Sequence, residues 1–156
     1  MVLVGIGQQL RGDDGAGLEV ARRLLRRQRR HQGSGPQPGA PALLVVEGGP
    51  APENCTGHIR RFAPDLVLLV DAADMQEAPG TIRWLDWQDT TGWSASTHGL
   101  PPYMFARYLM TECRCAVALI GIQVLQNSIG APLSPAVEQA VLDVVEGLAE
   151  TLQVPA

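Results

Sequence analysis

The segment that most constrains this chain is Gly5-Ile6-Gly7-Gln8-Gln9-Leu10-Arg11-Gly12-Asp13-Asp14-Gly15-Ala16-Gly17. A short apolar run, Met1–Val4, leads into it, and a long amphipathic run follows from Leu18. Apolar run, glycine-rich turn and helix, in that order, open an α/β unit. The glycines let the backbone turn tightly and come close to whatever binds there. Open α/β sheets bind ligands outside the carboxyl ends of their strands. Two adjacent carboxylates, Asp13 and Asp14, are thus delivered to the place where such folds do chemistry. A phosphate cradle fits poorly, because the loop lacks a Gly-Lys-Ser/Thr ending and paired aspartates repel phosphate. A metal or acid–base site fits better, with one aspartate capping the following helix and the other serving the site.

The remaining elements extend this opening. Leu18 to Arg30 reads as a helix, with Gly17, Val20, Ala21 and Leu24 on its buried face. Its arginines, from Arg22 to Arg30, read as a solvated face; a nucleic-acid patch lacks interleaved aromatics and glycines. His31 to Pro41 reads as a surface loop inside one domain. Leu43–Val46 is a short strand ending in Glu47-Gly48-Gly49, and Glu53–Phe62 a short helix. Leu66–Val70, the most apolar run, is a central strand covered on both faces, with Asp71 at its carboxyl end. Thr81–Trp87 alternates as an edge strand. Gln88–Thr97 is polar, and His98 sits among small residues before a helix that starts near Pro101. In that helix Met104, Tyr108 and Phe105 are expected to face inward. Ala116–Ile122 is another apolar strand, and Ser134-Pro135 starts a last helix with Ser as N-cap and Pro at the first position.

The order β-α-β-α-β-β-α-β-α predicts a three-layer α/β sandwich. A five-stranded, mostly parallel twisted sheet carries helices on both faces. The connection from Asp71 to Thr81 has no crossover helix, so one edge strand is antiparallel. A length of 156 residues suits one domain, 1–156. The net charge of −4 argues against a nucleic-acid partner. All 12 basic residues are arginine, which removes any lysine nucleophile. No apolar stretch approaches a membrane span. The chain opens on a strand rather than a signal peptide, and its cysteines, Cys55, Cys113 and Cys115, lack framework spacing. Both features fit a cytoplasmic protein.

Three side chains converge on one sheet edge in this topology: Asp14 after the first strand, Asp71 after the third, and His98 before the third helix. Two carboxylates and an imidazole make a hard-to-borderline ligand set with positions left open for water or substrate. Residue types alone do not choose zinc over nickel. The two aspartates could instead share a proton, as in aspartic-type hydrolysis. There is no His-Glu-x-x-His helix and no Gly-x-Ser-x-Gly elbow.

Seven segments match one family in order. They are Gly5-Ile6-Gly7, Gly12-Asp13-Asp14-Gly15-Ala16-Gly17, Glu47-Gly48-Gly49 with Ala51-Pro52-Glu53-Asn54, and Val70-Asp71-Ala72-Ala73-Asp74-Met75. Pro79-Gly80-Thr81-Ile82-Arg83, Thr97-His98-Gly99-Leu100-Pro101 and Gly121-Ile122-Gln123 complete the set. On these the chain resembles the hydrogenase maturation endopeptidases, most of all the type serving the hydrogenase 3, formate-hydrogenlyase branch. The resemblance implies a protease that removes a carboxy-terminal extension from the large-subunit precursor of a nickel–iron hydrogenase after nickel insertion. It implies that Asp14, Asp71 and His98 contact the nickel, which the substrate supplies, with no metal held at rest. A non-cleaving, nickel-dependent binding protein for the same precursor would use the same ligands. Two positions depart from the family pattern: Gln8 stands for its usual Asn, and Val124 for its usual Pro.

Overall fold

The computed structural model describes residues 1–30, 42–86, 88 and 100–154. The 31–41 loop, most of the polar 88–97 stretch, His98 and the last two residues lie outside the described residues. The strands are β1 (Val2–Ile6), β2 (Leu44–Gly49), β3 (Leu66–Ala73), β4 (Ile82–Leu85) and β5 (Ala116–Gln123). The helices are α1 (Ala16–Arg30), α2 (Thr56–Phe62), α3 (Pro102–Cys113) and α4 (Pro135–Leu152). Single 3₁₀ turns at Gly12–Gly15 and Pro52–Cys55 precede α1 and α2.

The five strands form one sheet in the order β2-β1-β3-β5-β4. All neighbours pair in parallel except β4, which runs antiparallel to β5. This is the expected sheet. The expected edge strand, however, does not lie beside the strand before it: β5 occupies that place, and β4 pairs outside it.

Strand alternation divides the core into two layers. Leu3, Leu68, Val70, Ala72, Ile120 and Ile122 point to one face, where the apolar stripes of α1 and α4 cover them. Val2, Val4, Ile6, Val67, Leu69 and Leu119 point to the other, against Ile59 of α2 and Phe105, Ala106 and Leu109 of α3. The stripe of α3 therefore differs from expectation. Phe105 and Leu109, four residues apart, are buried, whereas Met104 and Tyr108 lie one step round the helix and are exposed.

Helix α1 lies against the sheet because Gly17 has no side chain. A Cβ there would collide with the carbonyl oxygens of Val70 and Ile6. The helix thus starts directly over the carboxyl ends of β1 and β3, which brings the Gly12–Gly15 turn over the sheet edge.

Strand β3 runs three residues further than its apolar run suggests. Its pairing with β1 ends at Gly5–Val70, but its pairing with β5 continues through Asp71–Gly121 to Ala73–Gln123. Asp71 is therefore inside a strand on one side and past the end of its neighbour on the other.

Candidate active site

Asp14 stands in the 3₁₀ turn between β1 and α1 and is buried. Its Oδ2 accepts a hydrogen bond from the backbone N–H of Gln8 at 3.0 Å, and its carbonyl accepts from the same N–H at 3.2 Å. That closed loop depends on Gly7, whose φ of +136° is open to glycine and whose missing side chain leaves room for the Asp14 carbonyl. Gln8 reaches Asp14 through its main chain, so the side-chain departure at this position does not enter the contact.

Asp71 is partly buried in β3, and its Oδ1 accepts from the Ala72 N–H at 2.8 Å. By alternation it points with Val67 and Leu69 toward the α2–α3 layer. Desolvation pushes its carboxyl up to about 7, the Ala72 N–H offsets part of this, and the charge of Asp14 raises it further. Asp14 is also raised by burial, against the lowering influence of the Gln8 N–H and the Arg11 charge. The two acids therefore share one electrostatic environment, although 57 residues separate them (71 − 14).

Asp13, the other acid of the pair, does not cap α1, and no side chain caps the 3₁₀ turn. It is fully buried and turned toward the connection between β5 and α4. Its carboxylate accepts from the N–H groups of Leu125 (2.9 Å), Gln126 (3.1 Å) and Ser134 (2.6 Å), and from Ser134 Oγ (2.9 Å). Ser134 sits at the N-cap of α4 as expected, but its hydroxyl serves Asp13 and makes no cap bond. The expected helix cap is therefore replaced by a different structural role, in which Asp13 braces a distant loop.

Two further polar groups organise this edge and escaped the sequence reading. Gln123 ends β5 and is buried; its Oε1 accepts from Met75 N–H (2.6 Å) and Glu77 N–H (3.2 Å), while its Nε2 donates to Asp74 Oδ1 (3.3 Å) and Val124 O (2.9 Å). It thereby shapes the turn that leaves β3 just after Asp71. Arg22 of α1 spans Glu47 Oε2 at the end of β2 (2.8 Å) and Gln9 Oε1 in the first loop (2.9 Å). Glu47, read from the sequence only as an acid at a strand end, is the anchor of that bridge. Both groups act across the fold, so no local spacing signals them.

Among the described residues no group of three His, Cys, Asp or Glu side chains converges. Asp14 and Asp71 come together; His98, the third predicted member, lies outside the described residues. Among the described residues, too, no helix is long and apolar enough to cross a membrane.

The order of strands, the glycine turn and the coupled acids can be set against known proteins. Residues 19–151 match the HycI family, described as hydrogenase maturation protease. The chain belongs to the hydrogenase maturation protease family. The match begins just after Asp14 and takes in Asp71 and position 98. The hydrogenase 3 maturation protease of Escherichia coli K12 is 34% identical over 128 residues, covering 78% of this chain and 71% of that protein. The crystal structure of the [NiFe] hydrogenase maturation protease HycI from Thermococcus kodakarensis superposes with a TM-score of 0.81 at 32% identity, over 97% of this chain and 91% of that one. The solution structure of the endopeptidase HycI from Escherichia coli gives 0.72 at 31% identity, over 96% and 88%. These relatives share the fold of this chain.

Proposed function

We propose that this member of the family is an endopeptidase that removes the carboxy-terminal extension of a nickel–iron hydrogenase large-subunit precursor after nickel insertion. In this reading Asp14, Asp71 and His98 grip the nickel that the precursor carries. The observation that supports it is the placement of Asp14 in the turn over the carboxyl ends of β1 and β3, where its charge adds to the burial that raises Asp71. Two carboxylates raised by burial, with Asp71 raised further by the charge of Asp14, are costly to ionise together, and a divalent cation placed between them relieves that cost. The pair therefore favours a substrate that brings a cation over one that does not. Gripping the cation fixes the neighbouring peptide bond against the edge, which converts a loose encounter into a held geometry.

A carboxyl near 7 also suits a general base at neutral pH, since it can both lose and regain a proton there. Asp71 fits this role toward an attacking water, beside Asp14, whose carboxyl is raised by burial against the lowering influence of the Gln8 N–H and the Arg11 charge. In this reading the aspartic-type class describes the two acids together. The precursor is the partner, and the nickel belongs to it.

The test is incubation of the purified protein with nickel-loaded and nickel-free precursor, read as a size shift on a gel. The nickel-loaded precursor shortens and the nickel-free one does not. Asp14→Asn and His98→Ala each lower the rate at least a hundredfold. Processing by either variant at the parent rate sinks the ligand assignment. Retention of the precursor without shortening would instead establish a binding protein that does not cut.

A further inference from the structure

Asp71 has a different neighbour on each side of its strand. On one side the pairing with β1 stops at Gly5–Val70, and the turn that carries Asp14 stands over that end. On the other side β5 continues, and Asp71 is paired with Gly121. Paired positions of parallel strands point their side chains to one face, on strands about 4.8 Å apart. Gly121 has no side chain, so the space beside Asp71 on the β5 side is left for groups from elsewhere. Leu85 and Met75 occupy it: a Cβ on Gly121 would meet Leu85 Cδ1 at 2.5 Å and Met75 Sδ at 3.2 Å. Leu85 is fixed by the pairing of β4 with β5. Met75 lies beyond β3, in the turn, outside the ladder.

What holds Met75 is Gln123, which is buried at the end of β5. Its Oε1 accepts from the N–H groups of Met75 (2.6 Å) and Glu77 (3.2 Å). Its Nε2 donates to Asp74 Oδ1 (3.3 Å) and Val124 O (2.9 Å). Every hydrogen-bonding position of the carboxamide is therefore used. The main chain of Gln123 adds two bonds at 2.9 Å, from Gly80 N–H and to Thr81 O. One residue thus ties both ends of the connection from β3 to β4. The turn needs the tie, because Gln76 has a φ of +58°, left-handed backbone that a side-chain-bearing residue disfavours. Such a conformation persists where the surroundings over-determine it.

We propose that Gln123 is a positioning residue for the cleavage reaction: its carboxamide fixes the Asp74–Glu77 turn, and the turn sets Met75 as the wall of Asp71 on the side away from Asp14. The proposal rests on the peptidase reading above and deepens it. The wall confines the Asp71 carboxylate between β5 and the Asp14 turn, so that it meets the precursor in one geometry. Reaction rates are sensitive to displacements of about 1 Å at such a group. A support that served folding alone would leave the turnover of the folded protein untouched.

The test uses the full chain and nickel-loaded precursor, at a temperature where circular dichroism shows each variant folded. Gln123→Met keeps the length of the side chain and loses its four bonds. Met75→Ala keeps the clamp and removes the wall, and Met75→Leu restores the bulk without the sulfur. The expected fall in kcat is about thirtyfold for Gln123→Met and about tenfold for Met75→Ala, with KM within twofold. Met75→Leu recovers to within about threefold of the parent. Hydrogen exchange shows the Met75 and Glu77 amides losing protection in Gln123→Met and keeping it in Met75→Ala. Parent kcat in either Gln123→Met or Met75→Ala overturns the proposal. So does a rise in KM with kcat unchanged, which would make the turn a binding surface. Met75→Leu no faster than Met75→Ala also overturns it, because the sulfur itself would then be the active feature. If Gln123→Met does not fold, Gln123→Asn, one methylene too short to reach the turn, is read by the same criteria. A parent that leaves the precursor uncut overturns the peptidase reading and the positioning role together. A parent that cuts, beside variants that cut equally fast, overturns the positioning role alone.

Discussion

Replacing Asp13 by Ala removes a carboxylate that touches no substrate in this reading and yet holds the edge together. Four hydrogen bonds disappear, three from backbone N–H groups of Leu125, Gln126 and Ser134 and one from Ser134 Oγ. The hydroxyl can turn to another acceptor, but the three N–H groups cannot. A buried donor without a partner costs about 1–3 kcal/mol. Water entering beside Leu125 satisfies part of this, so the net loss is about 3–5 kcal/mol. That is a large share of the roughly 5–15 kcal/mol that holds a domain folded. For a chain of this size it lowers Tm by about 10 °C. Asp13→Asn keeps the shape but turns an NH2 toward donors, and loses about half as much. Urea unfolding measures both, and hydrogen exchange locates the change. The amides of Leu125, Gln126 and Ser134 lose protection while those of the central strands keep theirs. A loss below about 1 kcal/mol for the alanine variant, or exchange unchanged in the 124–134 connection, would refute the bracing role.

Three further outcomes follow from the same geometry. Asp71 holds its proton more tightly folded than unfolded, because its carboxyl rises from 3.8 to about 7. Its contribution to stability is therefore complete below about pH 4 and fades as the pH climbs through 7. Asp71→Asn abolishes that slope and is more stable than the parent at pH 8 by about 2–4 kcal/mol, read from urea midpoints at several pH values. A parent whose stability is flat between pH 4 and 7 contradicts the raised carboxyl. Added nickel(II) raises the parent's Tm at pH 8 and leaves that of Asp14→Asn unmoved; equal shifts would place binding elsewhere. Gly17→Ala drives a methyl group into the Val70 and Ile6 carbonyls, lifts α1 from the sheet and destabilises by about 3 kcal/mol or more by thermal unfolding; a neutral result would show that α1 is not seated there.

Much of the fold was legible because strand and helix declare themselves locally. The apolar runs at Val2–Ile6, Leu66–Val70 and Ala116–Ile122 and the stripes of α1 and α4 carry their own periodicity. The inward face of α3 was partly misread: Phe105 is buried as expected, but Met104 and Tyr108, also large side chains with apolar bodies, are exposed. Only the neighbours across the layer decide which pair is covered. The extension of β3 past Val70 was hidden for a similar reason. Asp71, Ala72 and Ala73 do not look like strand, and it is β5 alongside that supplies their hydrogen-bond partners.

The one-dimensional pattern determined that this chain forms a mostly parallel sheet with an antiparallel edge, and that Asp14 follows the first strand and Asp71 the apolar run of the third; which strands are neighbours came from the tertiary structure. Alternation, glycine spacing and turn chemistry are properties of a few consecutive residues, so they can be read without the rest. Tertiary structure alone decided that Asp13 braces the loop after β5. It alone made Gln123, Arg22 and Glu47 into supports, and it alone raised Asp71. A carboxylate's charge and its role depend on the burial, donors and neighbouring charges that surround it. Here those groups arrive from as far as 121 residues along the chain.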